Sequence, residues 1–235
     1  MKEILNFPVS FLKIDKDCSW RGNPWSDLRC WLNGVLDFVI FQNYKLDYYD
    51  RLKYQQAARD FSVSSANYDS SYNNGLKMSS LKKSGVAYTR MSLTVFCDFF
   101  NNKKSQDDVA NLLAYLALNS IIGDLNDYSR TNFAMMFARM SGFNSPKDKG
   151  FKMPKEVSYY DKEYRRNKLI NSLRLDWGLH YYAARGIRGF YVSFKDLEVI
   201  VRAAEQHRRS RRLKEIRDET AAIRSQVLKE FHSRP

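Results

Sequence analysis

The chain has 235 residues and a formal net charge of +13, from 39 Lys and Arg against 26 Asp and Glu. That length admits one large domain or two small ones, and 44% apolar with 28% charged residues is ordinary for a globular chain and unlike a disordered one. The cation excess favours a polyanionic partner, because neutralising phosphates releases condensed counterions, although a basic surface that only keeps the protein soluble has the same composition.

Cys18, Cys30 and Cys97 are too few and too irregularly spaced for a disulfide framework or paired zinc ligands. Met1 to Ser10 carries Glu3 and Pro8 and lacks the basic-then-apolar layout of a signal peptide. Since no apolar run approaches the ~20 residues that span a bilayer, a cytoplasmic protein without a membrane partner is expected.

In chain order, Pro24 and Asp27 suit the first turn of a helix ending near Tyr44, with Trp31, Val35, Phe38 and Val39 on its buried side. Asp47 can cap a second helix through Phe61, with Leu52, Ala57 and Ala58 as apolar or small positions. A third helix is read from Ser65 to Tyr72, ended by Asn73-Asn74-Gly75. The β-branched and aromatic residues between Val86 and Phe100 predict at least one strand.

Ser105 followed by Asp108 predicts the start of a helix with Val109, Leu112, Leu113, Leu116, Ala117 and Ile121 as its stripe, stopped by Gly123. Thr131 to Ser141 is another helix, with Phe133, Met136, Phe137 and Met140 inward. A lysine-bearing loop with Pro146 and Pro154 follows. Pro154 can open a long helix to Arg174, with Val157, Tyr160, Tyr164, Leu169 and Leu173 inward. Strands at Leu179–Ala183 and Gly189–Phe194 flank a turn, and a helix runs from Lys195 to about Phe231.

The fold class is therefore mainly α with small β wings, an α+β chain. Three units are expected: a helical block over 1–100, a three-helix-plus-hairpin block over 101–195, and a basic C-terminal helix over 196–235. Three helices followed by a basic hairpin is the layout of a winged helix-turn-helix, in which one helix enters the major groove and the hairpin reaches the backbone. The recognition helix would carry Lys162, Arg165, Arg166, Asn167 and Lys168, with Arg185 and Arg188 in the wing turn. The gap between Gly142 and Lys155 is longer than a tight helix-turn-helix uses. The helices before residue 80 form a fainter candidate for a second winged helix, without cations on the reading helix.

The segment Asp107 to Phe194 resembles the winged-helix domains of plasmid and mobile-element replication initiators. The resemblance rests on the run Leu112 to Gly123, on Thr131-Asn132 and Arg139-Met140-Ser141-Gly142, on Tyr164-Arg165-Arg166-Asn167-Lys168-Leu169, and on Arg188-Gly189-Phe190-Tyr191-Val192-Ser193. It covers less than half of the chain. It implies tandem winged helices that read repeated or palindromic duplex sites, in replication initiation or in transcriptional control.

Enzyme chemistry finds little support. His180, His207 and His232 are isolated, and there is no phosphate loop or nucleophile elbow, so neither cofactor nor metal is expected. The acidic pairs Asp47 with Asp50, Asp107 with Asp108, and Asp124 with Asp127 sit where carboxylates cap helices and turns. Along the C-terminal helix, Leu197, Val199, Ile200 and Ala204 suit packing on the body, while Arg202, Arg208, Arg209, Arg211, Arg212, Lys214 and Arg217 crowd the middle. Leu213, Ile216, Ile223 and Val227 repeat by threes and fours, which suits a short coiled coil, a packing stripe or a solvated extension, and a homodimer is among the partners expected of the chain. The competing functional reading is a non-enzymatic protein whose basic C-terminal helix docks an acidic protein.

Overall fold

The computed structural model describes residues 4–13, 23–44, 51–60, 68–80, 85–123 and 125–232. The chain is mainly helical with two small antiparallel sheets. It begins with strand β1 (Ile4–Pro8), whose Leu5 and Phe7 point inward while Ile4 and Asn6 are exposed, and a 3-10 turn over Val9–Leu12. Helices α1 (Leu28–Tyr44), α2 (Arg51–Asp60) and α3 (Tyr68–Ser80) follow. Trp31, Val35, Phe38 and Val39 are all buried, as their spacing predicts, and Trp31 Nε1 donates to the Phe11 carbonyl at 2.8 Å.

Two expectations for this half need correction. Leu52 of α2 is 81% exposed rather than inward, and the side chains of Ala57 and Ala58 lie outside the described residues. Helix α3 does not stop at Asn73-Asn74-Gly75 but runs through it to Ser80. Gly75 serves a close approach instead: a Cβ there would lie 2.7 Å from Phe41 Cβ and 2.9 Å from the Asp37 carbonyl oxygen, so α3 lies hard against α1. The stretch from Val86 to Phe100 holds the expected strand, β2 (Tyr88–Ser92), after which Ser92 caps α4 (Leu93–Asn101) by accepting from the Val95 amide. Strand propensity in Thr94, Val95 and Phe96 yields to that cap and to burial of Leu93, Phe96 and Phe99 on one helical face. After α3, β2 pairs with β1 at the other end of this half, and no hairpin is seen among the described residues before residue 100.

Helix α5 (Gln106–Ile122) opens with a capping box between Ser105 and Asp108 and closes at Gly123. It is buried on almost every side, from Val109 to Ile122, and forms the central post. Strand β3 (Ser129–Thr131), too short to show in the sequence, leads to α6 (Phe133–Met140). The expected long helix from Pro154 is in fact broken. Helix α7 (Lys155–Ser158) passes into a 3-10 turn over Tyr159–Asp161, Lys162 adopts extended backbone at ψ 137°, and α8 (Glu163–Asp176) starts afresh. That break resets the helical phase, so Tyr164, expected inward, is 79% exposed, while Leu169, Ile170 and Leu173 are buried.

Strands β4 (His180–Tyr182) and β5 (Phe190–Ser193) form the expected hairpin, and β3 pairs with β5 on its other edge, so the sheet order is β3-β5-β4. Gly189, at φ +87°, permits this closure, because a Cβ there would lie 2.2 Å from the Thr131 carbonyl oxygen. Helix α9 (Leu197–His232) then packs Ile200 and Ala204 against Tyr191 on this hairpin, with Leu197 half-exposed at its start. One buried cluster runs from Leu5 to Val192, across residue 100, and Thr89 Oγ1 donates to the Leu116 carbonyl at 2.6 Å to join β2 to α5. No helix among the described residues is long and apolar enough to cross a membrane.

Candidate nucleic-acid interface

Helix α8 divides its residues by face. Leu169, Ile170 and Leu173 turn into the core, and Tyr164, Asn167, Lys168, Asn171, Arg174 and Leu175 are exposed on the other side. Spacings of three and four residues place these exposed positions in adjacent rows.

The seven residues expected to form the interface fall into three groups. Arg165 and Arg166 are held back against the protein. The Arg165 guanidinium carbon lies 3.2 Å from the centre of the Tyr159 ring, and Nη1 donates to the Tyr159 carbonyl at 3.1 Å. Arg166 stacks 4.9 Å above Phe133 at the start of α6 and sits 3.8 Å from Asp161. Asn167 and Lys168 are on the exposed side, with Lys162 exposed at the break that precedes the helix. Lys168 reaches sideways to Asp107 at 2.7 Å, and Tyr160 Oη donates to the same carboxylate at 2.8 Å. The Lys168 and Tyr160 hydrogen bonds hold the Asp107 carboxyl below its usual range, and that carboxylate in turn raises Lys168. Arg185 and Arg188 are exposed in the turn between β4 and β5.

Sequence periodicity placed Leu169 and Leu173 inward correctly but, by running one helix through Lys162, put Tyr164 inward as well, and it did not single out Asn171 and Arg174. It also missed Arg130 on β3. The Arg130 guanidinium donates through Nε and Nη2 to the Arg188 carbonyl at 3.3 and 3.0 Å, and Nη1 lies 3.2 Å from His207 Nε2 on α9. Arg211 of α9 donates to the Gly186 carbonyl in the same turn. The hairpin turn is thus fastened at two carbonyls, leaving the Arg185 and Arg188 side chains outward. Between α6 and α8 the long connection carries Lys147, Lys149, Lys152 and Lys155, all exposed, and Asp148 pins its start by accepting from the Asn144 and Ser145 amides at 2.8 and 3.1 Å.

A cavity of about 280 Å³ lies between α5 and α8, bounded by Asp107, Asn111, Tyr159, Tyr160, Lys168 and Ser172. Among the described residues no three His, Cys, Asp or Glu side chains gather as a metal site. Compared with protein-family models, with curated proteins and with solved structures, the chain matches none.

Proposed function

We propose that the segment from α5 to β5 is a winged helix that binds duplex DNA without covalent chemistry, with α8 as its reading helix. The observation that carries this is a topology joined to a surface. Helix, strand, helix, a helix broken into α7 and α8, and a hairpin, in sheet order β3-β5-β4, is the order expected of a winged helix, and α8 turns a polar, basic row to solvent.

The division of α8 refines the roles. Asn167, Asn171 and Arg174 are the candidates for base edges, since Asn pairs bidentately with adenine and Arg with guanine. Lys162, Lys168, Arg185 and Arg188 are candidates for phosphate contacts, which position the protein without carrying sequence. Arg165 and Arg166, locked on Tyr159 and Phe133, support the reading helix from behind. The exposed lysines between α6 and α8 extend the same basic surface. Control of replication or of transcription on a mobile element is the process that the sequence resemblance adds.

The test is selection of bound sequences from random duplexes at near-physiological salt with competitor DNA. Enrichment of a defined site is expected. On that site Asn167→Ala or Arg174→Ala should each cost roughly 1–3 kcal/mol and relax one position, while Arg188→Ala weakens every duplex alike. Flat recovery would overturn the reading and turn attention to an acidic protein bound by α9.

A further inference from the structure

We propose that α9 pairs in parallel with α9 of a second copy of this chain, through a stripe centred on Leu213, Ile216, Thr220 and Ile223. The proposal goes beyond DNA binding and does not rest on it.

Helix α9 leaves the body early. Ile200 and Ala204 are buried on the hairpin, His207 is half-buried, and every described side chain from Arg208 onward is exposed. About 25 residues, roughly 37 Å of helix, therefore run on past the buried contact, with Arg211 still bonded to the Gly186 carbonyl on the side that faces the body. Apolar side chains are nonetheless spaced along it: Ile216 is 49% and Ile223 64% exposed, with Leu213 between them in exposure. Their steps of three and four, continued in the sequence by Val227, are those of a two-stranded coiled coil. Thr220 fits the same row, since its hydroxyl is occupied by the Ile216 carbonyl at 2.7 Å and its methyl is left for the stripe.

The stripe is not a continuation of the contact with the body. At 100° per residue it lies about 160° around the helix from Ile200 and Ala204. The chain's own body therefore stands behind α9, and a second helix can approach from the open side.

Charge selects the orientation. In a parallel pair, each residue flanking the stripe lies across from the residue five further along its partner. Glu219 then meets Arg224 of the second copy, twice by symmetry. An antiparallel pair with the same stripe in register sets Arg217 against Arg224. Parallel pairing also sets Arg212 against Arg217, so association is modest and tightens as salt screens the excess positive charge. That sense is opposite to the salt dependence of DNA binding.

The experiment is sedimentation equilibrium of the full chain at about 50 µM and about 0.3 M salt, where the Debye length is under 10 Å. A twofold rise over the single-chain mass of 27.7 kDa is expected. The double variant Ile216→Asp/Ile223→Asp should return to single-chain mass, with the melting temperature of wild type diluted to single-chain mass. Thr220→Cys should form a covalent dimer on mild oxidation, beyond any formed by the wild type. A wild type of single-chain mass overturns the proposal, as does a dimer that survives the double substitution. A melting temperature below that of the diluted, single-chain wild type would mean that the stripe packs within one chain, and failure of the Thr220→Cys variant to cross-link would exclude parallel pairing.

Discussion

Asp37 is the side chain whose setting most departs from its chemistry. It is buried in α1 against α3, with Asn74 Nδ2 donating to Oδ2 at 3.3 Å. Burial pushes its carboxyl from 3.8 up to about 7, with the hydrogen bonds from Ser71 and Asn74 opposing only in part. A folded-state value above the unfolded one means that the native state holds the extra proton between those two values. Stability should then fall as pH rises from about 4 to about 7 and level off above. Asp37→Asn removes this slope. Denaturant titrations at pH 5 and pH 8 should show wild type losing roughly 1–3 kcal/mol more than the variant across that interval. Arg166 offers a second residue-scale contrast. With its guanidinium on Phe133 and beside Asp161, Arg166→Ala should lower the melting temperature, whereas the exposed Asn167→Ala should not.

At the scale of elements, Gly75 decides how α1 and α3 meet. Replacing an interior helical glycine with alanine ordinarily gains about 0.5–1 kcal/mol. Here the added methyl would press on Phe41 and on the Asp37 carbonyl, so Gly75→Ala should instead lose about 1–3 kcal/mol in chemical denaturation. The same scale shows what could be read from the chain. Elements whose own residues carry both the start signal and the apolar face were legible: α5 from Ser105, Asp108 and its stripe, and the hairpin from two apolar runs around Gly186 and Gly189. Strand β1 was not read, because apolar Ile4 beside Leu5 leaves no alternation in Ile4–Phe7 and its partner β2 lies far along the chain. Nor were the length of α3 and the break at Lys162. The first depends on α1 lying against Gly75, and the second on Tyr160 reaching Asp107 some 53 residues away. The candidate interface inherited that limit: residue types and place in the chain were visible, but which side chains face outward depended on a phase set by tertiary contacts.

For the molecule as a whole, the +13 charge and the projecting α9 make salt the natural variable. If duplex DNA is the partner, log affinity should fall linearly with log salt, and Arg185→Ala, Arg188→Ala or Lys168→Ala should each reduce the slope by about 1. Isothermal titration at several salt concentrations measures this directly. The buried cluster from Leu5 to Val192 bears on how the protein may be divided. Strand β2 and the 3-10 turn after β1 lie on α5, so a fragment beginning near residue 101 would leave Leu112, Leu113 and Leu116 with water where their neighbours had been. The hairpin and α8 are consequently no detachable cassette: grafted elsewhere without the first hundred residues, they would aggregate rather than fold.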